Sequence, residues 1–283
     1  MIKDEHKGII YAILAVFVFS TTAVLTRWAE PLSAYEIATG RLGVATLIVM
    51  IVARLSGQPL VPSRKDLLSF IAFGLVTALH FLLYIASLSL TTIAHALSLI
   101  YTAPIFITIA SAWFLNEPIP RSKWLGVILS VVGIAILAGF EPQFNSRMLM
   151  GDILAVGSAV MYALYSVAGR SQKARYPLLT YAGIVYGLGT LWALPVAIIN
   201  FQPAGYGWRQ IGSIIVLGAL PLALGHTLYN AALRLVHATY INIISAQEVT
   251  LGVILGVLFF QEVPDLNTIL GMLVMLVGIV MVV

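Results

Sequence analysis

Glu248 has the strongest claim to chemistry in this chain. It is a carboxylate set inside an apolar run, 14 residues ahead of Glu262 and so roughly 20 Å from it along a helix. A carboxylate in such a place binds a substrate ammonium, takes up a proton, or stays protonated and bonds to a neighbour such as His226. Other polar groups interrupt apolar runs at helical spacing. His80 and Tyr84 are four residues apart and share a helix face. His95, Ser98 and Thr102 share another, with Tyr101 beside them and Pro104 just beyond. Ser158, Tyr162, Tyr165 and Ser166 form a small-aromatic stripe, and His226, Tyr229 and Asn230 follow Pro221. Phenols and imidazoles in these positions either line a cavity suited to an aromatic or aliphatic group or hydrogen-bond across packed helices. Arg41 is the one basic residue well inside a run and is expected to snorkel outward or pair with Glu36, a structural role. Glu117 and Glu262 end their runs and read as helix-terminus anchors or gate partners. The chain has no cysteine, and its five histidines lack metal spacing. A phosphate loop, an H-E-x-x-H pair and a G-x-S-x-G elbow are all missing, so no cofactor, metal or enzymatic reaction is implied.

The elements that must hold these residues are membrane spans. The 283 residues are 60% hydrophobic and 9% charged, where a soluble domain carries about 25% charged residues. Ten apolar segments of spanning length can be marked, at about 8–27, 34–54, 67–88, 92–115, 123–140, 151–170, 178–200, 210–234, 238–260 and 266–283. Turn residues separate them, as in Glu30-Pro31, Gly57-Gln58-Pro59, Glu141-Pro142 and Gln202-Pro203. The first run is too long for a signal-peptide core and lacks a clear cleavage site, so it reads as an uncleaved span. With the N-terminus in the cytoplasm, inner loops and termini hold eleven basic residues and outer loops hold Arg27, Arg147 and Arg209. The net charge of +4 therefore reads as positive-inside topology, with both termini cytoplasmic, rather than as a nucleic-acid surface.

The spans repeat. Residues 86–138 return at a constant offset of 145, carrying Ile109 onto Ile254, Phe114 onto Phe259, Glu117 onto Glu262, Gly126 onto Gly271 and Gly133 onto Gly278. Just before them, Leu83-Tyr84 returns as Leu228-Tyr229. A weaker match at an offset of 143 carries Gly8, Val24 and Arg27 onto Gly151, Val167 and Arg170. Five spans per copy, an odd number, turn the second copy over, so the expected organisation is two inverted repeats, residues 1–145 and 146–283. The polar residues do not all repeat: Glu248 falls on Ala103, and Pro104 on Val249, so a bend at Pro104 is expected to break the symmetry.

Two five-span repeats, an acidic residue ending the fourth span of each, a glycine-bearing fifth span, and Pro31 followed by Arg41 resemble the EamA branch of the drug/metabolite transporter superfamily. The layout is similar to bacterial amino-acid exporters, including the YddG-type exporters of aromatic amino acids. The resemblance implies an all-α integral membrane fold with ten transmembrane helices around a central cavity. The first, third and fourth spans of each half would line it, with the fifth and tenth at the periphery or in dimer contacts. It also implies a secondary transporter in the bacterial inner membrane working by alternating access on a small-molecule substrate in a membrane-lipid setting. Substrate-binding candidates are His80, Tyr84, His95, Ser98, Tyr101, Tyr162, Tyr165, His226, Tyr229 and Glu248; gating or structural candidates are Arg41, Pro104, Glu117 and Glu262. Aromatic or apolar amino acids suit these residues better than phosphate esters, which would call for several buried lysines or arginines. Proton coupling and a homodimer are left open, and no nucleic-acid partner is expected. The alternatives are a carrier of nucleotide-sugars, drugs or polyamines, and a non-transporting scaffold or lipid-handling protein, which would fill the space between repeats with Leu and Ile.

Overall fold

A computed structural model describes residues 2–91, 93–138, 145–261 and 266–282, without side chains for 2, 3, 93–95, 137, 138, 204, 260 and 268. Glu262 and the His95 side chain therefore lie outside the described residues. Backbone groups in lipid must bond within their own segment, and long apolar runs answer with helix. The helices are α1 (Ile2–Phe19), α2 (Thr21–Trp28), α3 (Ala34–Leu55), α4 (Leu67–Leu88), α5 (Ile93–Ile100), α6 (Ala103–Phe114) and α7 (Trp124–Ala138). They continue as α8 (Ser146–Ser171), α9 (Leu178–Ile199), α10 (Trp208–Leu217), a π-helical segment Gly218–His226, α11 (Thr227–Leu235), α12 (Ala238–Ser245), α13 (Gln247–Phe260) and α14 (Leu266–Val282). No strand occurs among the described residues.

Eight helical stretches are long and apolar enough to cross a membrane, several of them broken once along their length. They match the expected spans one to four and six to nine within a few residues, except that α8 begins a turn earlier. There the Asn145 side chain accepts from Met148 N at 2.9 Å and caps the helix. Among the described residues, α7 and α14 supply 15 and 17, about 23 and 26 Å of helix. Leu47, Ile51, Leu68, Trp113, Ile198 and Val280 point their apolar surface outward, where only lipid can receive it.

Two helix pairs fix the arrangement. In α3 and α9, Thr46 Oγ1 meets Thr190 Oγ1 at 3.2 Å, 144 positions apart. A Cβ at Gly43 would touch Thr190, and one at Gly187 would touch Thr46. Gly187 and Thr190 lie at the same 144-residue spacing from Gly43 and Thr46, so the two helices exchange equivalent contacts while running antiparallel. The pair α7 and α14 does the same: Gly126 faces Gly278 and Val282, and Gly133 faces Gly271 and Met275. The glycine stripe expected at the periphery thus packs one repeat directly on the other.

The breaks are informative. The helix is interrupted at Tyr101–Thr102, between α5 and α6, and at Ala246, between α12 and α13. These positions are 145 residues apart, so the interruption recurs in both copies. This corrects the expectation that a bend at Pro104 breaks the symmetry: Pro104 sits in the first turn of α6, whereas α13 starts equally well with Val249 in the matching place. In the second copy, Ser245 Oγ bonds back to Ile241 O at 2.9 Å, and Val249 N turns to Ala246 O at 3.1 Å, which serves where proline is missing.

Candidate functional site

The broken helices deliver polar groups to one tight buried cavity of about 20 Å³, room for a single water. Glu248 lies in the first turn of α13, where the helix dipole favours a carboxylate. Tyr84 of α4 donates to its Oε1 at 3.1 Å, and Tyr101, at the α5–α6 break, donates to its Oε2. His80 stands one turn before Tyr84. Its Nδ1 lies 3.0 Å from Ser158 Oγ, and its ring stacks on Tyr162 with centroids 4.8 Å apart. His226 closes the π-helical segment, its ring 4.5 Å from that of Phe19 and its Nδ1 buried without a hydrogen-bond partner. Phe19, Thr22, Leu97 and Ile100 complete the wall with Arg41.

Six of the ten substrate-binding candidates line this space: His80, Tyr84, Tyr101, Tyr162, His226 and Glu248. Tyr165 and Tyr229 stand behind the wall. Asn230 Nδ2 donates to Tyr165 at 2.5 Å, and Tyr229 shares a 2.7 Å hydrogen bond with Ser166. Ser98 is buried in α5 outside the lining. Arg41 departs from expectation: it neither snorkels nor meets Glu36, whose carboxylate is taken by Ser33, Gln202 N and Tyr206. It enters the cavity from α3, 1% exposed, with its Cζ 5.0 Å from the Phe81 ring centroid. A lone arginine in a span gives no sequence signal for this, because an arginine on the outward face near the helix end would snorkel instead.

A second cluster stitches one end of the bundle. Glu117, beyond α6, pairs with Arg170 at the end of α8 and lies 3.6 Å from Lys173 Nζ. Arg170 Nη1 also donates to Leu233 O and Val236 O, both at 2.6 Å. His237 reaches Glu117 O through Nε2 at 2.8 Å, while its Nδ1 accepts from Thr239 N at 3.2 Å and caps α12. A backbone N–H can only donate, so Nδ1 is unprotonated and Nε2 carries the hydrogen. Burial raises the Glu117 carboxyl, but the Arg170 hydrogen bond and the charges of Arg170 and Lys173 bring it below its usual range. Burial lowers the His237 imidazole below its usual value. At the same end Arg175 and Tyr176 hold Asp66 at 2.7 and 2.6 Å, tying the segment before α4 to the one before α9. Glu117 was foreseen as a gate partner; Arg170 and His237 were not, although Arg170 is the repeat of Arg27.

A helical membrane fold of this kind around a buried polar cavity defines the class of small-molecule transporters. The sequence profile of the EamA-like transporter family matches residues 6–139 and again 149–283, and the chain belongs to that family. It is a multi-pass membrane transporter and not an enzyme. It is 31% identical over 276 residues to the pseudopaline exporter CntI of Pseudomonas aeruginosa, covering 96% of this chain and 94% of that protein. An uncharacterized transporter of Archaeoglobus fulgidus is 26% identical, with 98% of each chain covered. A crystal structure at 18% identity superposes with a TM-score of 0.81 over 97% of this chain and 95% of its own, a likeness of fold.

Proposed function

We propose that the chain is a secondary transporter of the bacterial inner membrane that exports amino acids or similar small amphipathic metabolites, with aromatic or apolar side chains favoured. The observation that carries this reading is the cavity itself: a Glu248 carboxylate held by two tyrosine hydroxyls amid stacked His and Tyr rings. Glu248 would take the substrate ammonium, and the rings would take its side chain. A scaffold would have closed this space with Leu and Ile.

In the same reading α7 and α14 complete ten spans, and the antiparallel exchange of equivalent contacts supports two inverted repeats, residues 1–145 and 146–283. The basic-residue count favours cytoplasmic termini, which would put the Glu117–Arg170–His237 cluster on the cytoplasmic side as a closed gate. Counterflow of labelled tryptophan, threonine and glutamate in liposomes tests the assignment. Accumulation of tryptophan or threonine without glutamate is expected; no accumulation by folded protein would remove the amino-acid reading. A pseudopaline-like cargo is the second reading, favoured by the identity to CntI along nearly the whole chain, and pseudopaline itself belongs in the same assay.

A further inference from the structure

Arg41 presents the cavity with two hydrogen-bond donors that the protein leaves unsatisfied. The side chain is 1% exposed, and its Nε and Nη1 are buried with no hydrogen-bond acceptor. Among the described residues Glu248 is the only carboxylate lining the same cavity, and its oxygens already accept from Tyr84 and Tyr101. Phe81 receives the guanidinium through its ring and offers no acceptor to those N–H groups. Buried charged donors without partners are costly to fold around, and a protein keeps them where a ligand completes them. A guanidinium is a planar fork of donors that matches one anion best, the two-oxygen carboxylate.

We infer that Arg41 binds the substrate's carboxylate, and that the carried class is a zwitterion: a free carboxylate a few bonds from an ammonium group. The inference rests on the reading of this cavity as the transport site. The two charges come from different repeats, Arg41 from the first and Glu248 from the second, and neither has a charged counterpart at the matching position. A zwitterion sets its negative end against Arg41 and its positive end against Glu248 and adds no net charge to a buried space. A decarboxylated amine brings a second positive charge beside Arg41. A deaminated acid brings a second negative charge beside Glu248.

The test uses tryptophan, leucine and histidine, each beside its decarboxylated amine and its deaminated acid. Ligand-induced rise in melting temperature and liposome counterflow are read for the native chain, Arg41→Met and Arg41→Lys. In the native chain at least one amino acid binds, and its amine binds at least about tenfold more weakly. In Arg41→Met that preference shrinks to within about twofold, and the ligand-free protein melts no lower than the native one. Arg41→Lys, which keeps the charge without the fork, falls between. A structural arginine would instead lower the ligand-free melting temperature. An amine carried as well as its amino acid by the native chain overturns the Arg41 inference while leaving export through Glu248 standing. Acids that bind through Arg41 while no amino acid does would overturn the zwitterion class and remove the amino-acid reading with it. Failure of all nine compounds with folded protein overturns both. The native comparison alone decides if Arg41→Met does not fold.

Discussion

At the scale of single residues, the site works by opposed demands on a few polar atoms. Glu248→Gln keeps the shape and removes the charge, so amine-bearing substrates should weaken roughly ten- to a hundredfold, the worth of a charge-assisted hydrogen bond of about 1.5–3 kcal/mol, with folded yield preserved. Counterflow against substrate concentration reads this, and equal transport by the variant would sink the assignment. His237 makes a separate pH prediction. Its half-buried imidazole has a lowered proton affinity and must stay neutral to cap α12, so its contribution is whole above its usual value of 6.5 and is lost as pH falls through its folded value. Glu117, also lowered, adds a further loss below its usual 4.5. Melting temperature should therefore fall with acidification below pH 6.5. His237→Asn, which can still cap but does not titrate, should flatten the upper part of that fall. Part of this geometry was legible, since the polar side chains that interrupt apolar runs at His80, Tyr84, Tyr101, Tyr162, His226 and Glu248 do line the cavity. Tyr165 and Tyr229 were indistinguishable from them, because a tyrosine one helical step away keeps the same type and spacing while its hydroxyl bonds behind the wall. Arg41 was illegible because its value depends on which rings and acceptors surround it.

At the scale of elements, helix breaks put function where regular helix would not. Starting α13 at Gln247 places Glu248 in a first turn, and ending α5 at Ile100 frees Tyr101 to reach it. Hydropathy located these spans to within a few residues but saw them as single rods, since hydropathy averages over a window longer than a break. Proline was the only cue used, and it marked one break of the pair. The stitched end depends on elements in the same way, with Arg170 joining α8 to the ends of α6 and α11. Arg170→Met should release Glu117 and two carbonyls together and shift the closed-to-open balance roughly tenfold or more. The chain lacks native cysteine, so a single reporter at Ile100→Cys on the cavity wall can be labelled with an impermeant maleimide from that side. Faster labelling in the Arg170→Met background is expected, and an unchanged rate would show the cluster to be a fixed brace.

At the scale of the whole molecule, two copies of one unit are held by exchange of like contacts. The repeat was plain in the sequence, but which helices meet across it was not: equivalent residues share an offset whether they touch or lie far apart. The glycines of α7 and α14 settle it by closeness, since any Cβ at Gly133 or Gly278 would press on partner backbone. Gly133→Leu should cost about 1–3 kcal/mol or more and lower the melting temperature, while Leu47→Arg on the outward face should instead obstruct insertion, at about 2.5–3.5 kcal/mol, and reduce membrane yield. Comparing melting temperature with membrane yield separates the two effects.

The pairing of α7 with α14 also sets a timetable. Ribosomes deliver α7 early, yet its glycine face waits for the last described helix, seven α-helices later in synthesis. Until then the nascent chain offers lipid, chaperone or protease a seam that the finished protein never exposes. A stop codon ahead of α14 should therefore yield a chain that inserts but is degraded quickly, and supplying α14 as a separate peptide should lengthen its life.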